Sequence, residues 1–394
     1  MLSVEEALEK VLALVAPLGC ETVALREARG RVMAAPAQAQ LTQPPFSASA
    51  MDGYWIAAAD HRPGARLRVE GEAAAGRSYQ GPLAPGQAVR IFTGAPVPGP
   101  DGVVVLQEHV VREDDTITLA QDLETHGNIR PEGQDFKRGD SFHPKRPLSA
   151  RDLGLLASMN VSELSVYRRP EVAVIATGDE LVMPGETPGP DQIICSNSFI
   201  VTALAESAGA RVRLLPIARD DRESLREVFD LAKGADLVVT SGGASVGAHD
   251  LVGEVAGELG LERAFWKIAM RPGKPLMAGK MGDAAMLGLP GNPVSATVCA
   301  ELFLRPMLAK LQGLDPAPRI EPAELATDVA PTGARTHYMR ATLSPGDPLP
   351  RVTPFAAQDS ALLGVLATAD CLLIRPKDDV ARRAGARVNI LRLD

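Results

Sequence analysis

Five short segments of this chain carry residue types that could do chemistry, and each follows an apolar run. They are Thr177-Gly178-Asp179-Glu180-Leu181, Arg219-Asp220-Asp221, Ser241 through Asp250, Arg271-Pro272-Gly273-Lys274-Pro275 and Gly288-Leu289-Pro290-Gly291-Asn292-Pro293. Together they supply acids, hydroxyls, a glycine-rich loop and cations. The run Ser241-Gly242-Gly243-Ala244-Ser245 leaves one strand pattern and enters a helical one. It is either an oxyanion cradle of N–H groups and hydroxyls or a glycine turn that lets strand meet helix. Neither G-x-x-x-x-G-K-[ST] nor G-x-G-x-x-G occurs, which disfavours an ordinary nucleoside triphosphate or dinucleotide site. Asp250 opens the next helix, as a cap or, with Glu180 and the Asp220/Asp221 pair, as a ligand to Mg²⁺, which takes carboxylate oxygens beside phosphates. Lys267, Arg271 and Lys274 are either a solvated face or an anion clamp. Asn292-Pro293 is a helix-entry signal that Pro290 and Pro293 shape.

Those segments need a frame that brings them to one edge. Between residues 169 and 312, strand patterns at Glu171 to Thr177, Arg211 to Ile217, Asp236 to Thr240, Ala264 to Met270 and Ala284 to Leu289 alternate with helical ones. The helical stretches lie near Phe199 to Ser207, Ser224 to Lys233, Leu251 to Leu259 and Val294 to Leu311. Continuous apolar strands joined by helices predict a mainly parallel sheet covered on both faces, a three-layer α/β domain. Ligands of such sheets bind outside the carboxyl ends of the strands, so the five segments share one rim.

Residues 41–140 read instead as short β runs punctuated by Pro and Gly, a β-rich domain inserted between two parts (1–40 and 141–168) of one helical region. The first of those parts opens on a Ser3/Glu6 capping box and an apolar stripe of Val4, Ala7, Leu8, Val11, Leu12 and Val15. A short strand near Glu21 to Leu25 follows, and then a second helical piece that ends around Ala35-Pro36. Residues 313–394 read as a small all-β domain. The 394 residues carry a net charge of −8 and no basic run, so nucleic acid and anionic membrane are not expected partners. No run approaches the roughly 18 apolar residues of a membrane span. Acidic residues near Met1, and the scattered Cys20, Cys195, Cys299 and Cys371, fit a reducing cytoplasm rather than a secretory route or a zinc site.

Two further segments stand out in the β-rich region, Ser47 to Tyr54 and Ile91 to Pro98, which by themselves are turns. With Asn128-Ile129-Arg130, Gly133 and Asp135, and with the rim segments above, they make the chain resemble the molybdenum-insertion enzymes of molybdenum cofactor biosynthesis, the bacterial molybdopterin molybdenumtransferases. Eukaryotic relatives of that family form one part of gephyrin. The resemblance spans nearly the whole length. It implies an elongated four-domain homodimer with a C-terminal β-barrel. Its cleft is shared between the α/β domain of one subunit and the β-rich domain of the other. The implied reaction converts adenylyl-molybdopterin and molybdate to molybdenum cofactor and AMP with Mg²⁺.

Carried onto this sequence, Asp250 and Glu180 take metal and proton roles, with Asp220 and Asp221 as further metal candidates and Asp52 and Asp135 assisting from the partner. Lys267, Arg271 and Lys274 hold phosphate or molybdate, and Ser241, Gly242, Gly243 and Ser245 cradle the pterin phosphate. Thr93, Gly94, Pro290 and Pro293 shape the pocket. The resemblance also implies contact with the molybdopterin adenylyltransferase and with acceptor molybdoenzymes. Three departures bear on details: Arg271 replaces a common Lys, Trp55 stands where a small residue is usual, and the Pro98 to Gly102 loop is short. The competing readings are a molybdopterin adenylyltransferase, which would need only the α/β domain, and a non-catalytic scaffold that keeps the fold.

Overall fold

The computed structural model describes residues 1–242 and 251–393. Its α/β region is built on six strands in the spatial order Arg211–Leu214, Glu171–Ala176, Leu237–Ser241, Ala284–Leu289, Met277–Met281, Leu261–Trp266. The first four run parallel, and Met277–Met281 is antiparallel to both of its neighbours. Successive side chains of the central strands feed two different cores. Val172, Val174, Leu237, Val239 and Leu287 pack with Val201, Val294 and Phe303 on one face. Ala173, Ile175, Val238 and Met286 pack with Leu225, Val228, Phe229 and Val255 on the other. Both faces of the sheet are thus covered, and one strand, Met277–Met281, is antiparallel, which the sequence pattern did not reveal.

Two expected elements fall elsewhere. The strand expected at Ala264 to Met270 is Leu261–Trp266, and it ends where Lys267 adopts a left-handed φ of 81°. Met270–Arg271 then leaves this sheet and pairs in parallel with Thr336 and His337 of the C-terminal region. The first helix, Val4–Ala13, has the expected capping box: Ser3 N donates to Glu6 at 2.7 Å and Glu6 N to Ser3 Oγ at 3.1 Å. It does not, however, pack with the other N-terminal elements. Val4, Ala7 and Val11 bury against the α/β core, where Lys310 Nζ also donates to Leu12 O at 2.8 Å.

What remains of the N-terminal region is two antiparallel strand pairs, Cys20–Ala24 with Glu163–Tyr167 and Ala37–Gln38 with Ser141–Phe142, and the helix Ala150–Ser158 around Met33, Leu148, Leu156 and Val166. The second helical piece is a single 3-10 turn, Leu25–Glu27, so the region is as much strand as helix.

The β-rich region is a six-stranded sheet in the order Gly102–Leu106, Gly53–Ala57, Gln87–Ile91, Arg66–Ala73, Thr116–Leu119, Val110–Glu113. Trp55 is buried in it, and the short loop compensates for its bulk: a Cβ on Gly102 would lie 2.3 Å from the indole. In the C-terminal region, Thr336–Ser344 pairs with both Arg351–Pro354 and Cys371–Arg375, which closes five strands into a barrel and leaves no edge within that ring. No described helix is long and apolar enough to cross a membrane.

Candidate active cleft

The carboxyl ends of the parallel strands open into a cavity of about 290 Å³. Glu180, Ser241, Gly242 and Pro293, expected from the rim, line it together with Thr177, Asn197, Asn292 and Ala361. Ser241 ends its strand and is buried, while Glu180 is exposed at the mouth. Gly242 has φ 98°, and a Cβ there would lie 2.4 Å from Thr177 O, so only glycine lets these two strand exits touch. Asn197, the first residue of the helix Asn197–Ser207, donates from Nδ2 to Ser241 Oγ at 2.9 Å and to Gly291 O at 2.6 Å. Asn292 stands at the N-cap of Pro293–Cys299 as expected, yet its side chain does not cap: Nδ2 donates to Ser360 Oγ at 3.1 Å. Thr177 Oγ1, Thr240 Oγ1 and Asn197 Oδ1 are buried without a hydrogen-bond partner. Thr177 and Asn197 both line the cavity, and two unsatisfied polar atoms at one strand-end cleft mark a place kept for a ligand or water.

A second group of motifs converges in the β-rich region. Asp52 Oδ1 accepts from Thr93 N at 2.7 Å and from Thr93 Oγ1 at 2.8 Å. Those two bonds, with Arg90 nearby, hold the Asp52 carboxyl below the usual carboxylate range. Gly94 N donates to Ser49 O at 2.8 Å, and Ala48–Ser49 pairs with Ile129–Arg130. Asp135 joins from the adjoining turn, where its N–H donates to Gln43 O at 3.0 Å. The two segments that read as turns in isolation are thus joined to each other and to Ile129–Arg130. None of Asp52, Thr93, Gly94 or Asp135 is among the residues lining the cavity.

The remaining candidates divide. Lys267, Arg271 and Lys274 sit on the loop beyond Leu261–Trp266 and do not line the cavity either. Lys267 Nζ lies 4.6 Å from the Trp266 ring, and Arg271 faces the barrel, pairing with His337. Pro290 is buried behind the cleft wall. Asp221 caps the helix Arg222–Leu231, accepting from Ser224 N at 2.8 Å, and Asp220 N donates to Asp179 Oδ1 at 3.1 Å. Among the described residues no group of three or more His, Cys, Asp or Glu could hold a metal ion. Gly243, Ser245 and Asp250 lie outside the described residues.

Sequence reasoning missed Asn197, Arg90, Ser360 and Arg340. Arg340 is 1% exposed and donates to Asp359 O at 2.8 Å and to Ala357 O and Leu362 O at 3.4 Å, fixing the barrel loop that carries Ser360 and Ala361 to the cleft. Asn197 had a visible signal, a Ser-Asn-Ser run entering a helix. Arg340 and Arg90 lie within alternating strands and had none.

A strand-end cleft in a doubly covered sheet, in a chain that also carries a β-rich region and a barrel, defines a multidomain α/β protein with a candidate ligand site at the strand ends. Comparison with known proteins narrows the class. Residues 2–160 match the MoeA N-terminal region (domain I and II), 173–310 a probable molybdopterin binding domain and 322–393 the MoeA C-terminal region (domain IV). A molybdopterin molybdenumtransferase of Haemophilus influenzae is 39% identical over 79% of this chain and 78% of its own. Molybdopterin molybdenumtransferase 2 of Mycobacterium tuberculosis is 36% identical over 94% of both chains. The crystal structure of the molybdopterin biosynthesis moeA protein from Pyrococcus horikoshii OT3 superposes over the whole of both chains with a TM-score of 0.84 at 26% identity. The chain belongs to the molybdopterin molybdenumtransferase family.

Proposed function

We propose that this protein inserts molybdenum into molybdopterin, converting adenylyl-molybdopterin and molybdate to molybdenum cofactor and AMP. The observation that carries the reading is the presence, in one chain, of the strand-end cleft and of all three family regions along its length. An adenylyltransferase would need the α/β region alone.

The residues can meet the demands of that reaction. Cleaving the phosphate–AMP linkage needs donors for the charge on phosphate and an oriented oxygen nucleophile. Ser241 and Gly242 would supply donors, and Lys267, Arg271 and Lys274 are the cations proposed to hold phosphate or molybdate. Molybdate must lose oxo ligands as water, and Glu180, which lines the cleft, would move those protons. Asp52, held as an anion by Thr93, supplies charge rather than an acidic proton at neutral pH. Mg²⁺ commonly takes one or two carboxylates and fills its shell with water and substrate phosphate, so Glu180 and Asp250 would serve as its protein ligands while Asp221 stays with its helix. When bound it would neutralise phosphate charge.

Asp52 and Asp135 would reach the cleft from the partner subunit of a homodimer, since in their own chain they lie away from it. Mixing Asp52→Ala chains with Asp250→Ala chains should then restore part of the activity, and a fully active monomer would refute the shared cleft. The function itself is tested by incubating the protein with adenylyl-molybdopterin and Mg²⁺. AMP release should depend on molybdate, whereas consumption of ATP with release of pyrophosphate would identify an adenylyltransferase.

A further inference from the structure

The Asn197 amide joins two strand exits at the cleft floor. Its Nδ2 donates to Gly291 O at 2.6 Å and to Ser241 Oγ at 2.9 Å. A carbonyl oxygen can only accept, so the amide cannot be turned around, and both of its protons are committed. Ser241 Oγ is therefore the acceptor in its bond with Asn197. The hydroxyl keeps its own proton to give, and no described residue takes it. The strand places this hydroxyl beside Gly242 on the cavity wall, where a side chain is forbidden and a ligand can come close to the backbone.

We infer that Asn197 is a positioning residue that fixes the Ser241 hydroxyl as a hydrogen-bond donor to a phosphate oxygen of the bound ligand. This rests on the cleft being the site that holds adenylyl-molybdopterin and releases AMP. With one lone pair of the Ser241 oxygen engaged by the Asn197 N–H, its O–H is turned away from the amide and toward the cavity. It therefore meets a negatively charged oxygen with no reorganisation, and the bond it makes is charge-assisted.

The chemistry makes an ordering of variants that packing would reverse. Asp is nearly isosteric with Asn, so a role in packing alone makes Asn197→Asp milder than Asn197→Ala, and a role limited to the Gly291 bond would show no coupling to Ser241. In the positioning role Asp is the worse of the two. Its carboxylate would face Gly291 O without a proton to offer, would accept the Ser241 proton, and would turn the hydroxyl away from the ligand.

The test measures AMP affinity by calorimetry for the wild type, Asn197→Ala, Asn197→Asp, Ser241→Ala and the Asn197→Ala/Ser241→Ala double variant, with thermal melting to establish that each is folded. Asn197→Ala should weaken AMP binding roughly tenfold, the scale of one hydrogen bond to a charged group. Asn197→Asp should weaken it further, and Asn197→Ala should add nothing once Ser241 is Ala. Additive losses, an Asp variant milder than Ala, or a wild type that binds no AMP would each overturn the inference. Should Asn197→Asp fail to fold, the cycle between Asn197 and Ser241 still decides. Molybdate-dependent AMP release by the wild type is followed in parallel. Release without coupling between Asn197 and Ser241 removes the role of Asn197 and leaves the function standing, whereas coupling without molybdate-dependent release does the reverse.

Discussion

The α/β cleft and the motif cluster of the β-rich region both gather residues with chemical potential, yet they treat their polar groups in opposite ways. Around Asp52 the carboxylate is satisfied within the protein by two donors from one residue, Thr93. In the cleft, Thr177 and Asn197 keep buried oxygens without partners, and no described residue bonds the Glu180 carboxylate. A group already bonded within the protein is rigid and stays charged, which suits a fixed counter-charge. A free group can exchange protons and accept a ligand. Under the proposed function, the cleft would then move protons and the cluster would give electrostatic support.

The largest expected effect tests that division directly. Glu180→Gln keeps the shape but removes the titratable carboxyl, and turnover should fall by roughly a hundredfold or more with the melting temperature unchanged. Steady-state AMP release together with thermal melting checks it. A Glu180→Gln enzyme within a few-fold of wild type would erase the distinction between the two regions.

Much of the cleft was legible because strand ends in a parallel sheet are defined by local signals. Glu180, Ser241, Gly242 and Pro293 each follow an apolar run, and all four line the cavity. The cluster was less legible. Asp52, Thr93 and Asn128 look like turn residues until Ala48–Ser49 pairs with Ile129–Arg130, a contact between distant stretches that no periodicity encodes. The first helix shows the same limit. Its stripe announces a buried face but not a partner, and the α/β core proved to be that partner. Met270–Arg271 reads as the end of one strand, although its backbone serves another sheet.

The barrel contributes to the cleft through Arg340, whose buried guanidinium is spent on main-chain carbonyls of the loop at residues 357–362. Burial pulls its pKa down from the usual guanidinium value, and the nearby Asp359 carboxylate opposes that pull. Arg340→Met should cost about 2 to 3 kcal/mol, because several carbonyls lose a charged donor. It should also raise KM more than it lowers kcat, since Ser360 and Ala361 shape the wall. Denaturant unfolding and steady-state kinetics measure the two effects, and an unchanged stability would show that the loop holds itself.

Asp221 sharpens the comparison from the rim, because it is an acid already engaged by its own helix. Asp221→Ala should cost about 1 kcal/mol, and Asp221→Asn should be nearly neutral, since Asn caps as well as Asp. Neither should alter the Mg²⁺ dependence of AMP release. A shift in the Mg²⁺ concentration giving half-maximal rate for Asp221→Asn would return this residue to the metal site.

The smallest effect concerns Asp52 itself. Its pKa is lowered in the folded protein, first by the Thr93 N–H, then by the Thr93 hydroxyl. The unfolded chain, with a carboxyl pKa of about 3.9, binds more protons than the folded one as the pH falls through that value, so stability rises with pH across the window. The contribution of Asp52 is fully present above that ordinary pKa and is lost as the pH drops through the folded value. Asp52→Asn should therefore melt below wild type at neutral pH, and the gap should close under acid. Thr93→Val keeps the N–H donor but not the hydroxyl, so its curve should lie between the two. Melting curves taken from pH 7 downward provide the test. A gap that stays constant with pH would mean that Thr93 does not hold the charge of Asp52, and the contrast between a bonded cluster and an open cleft would lose its electrostatic half.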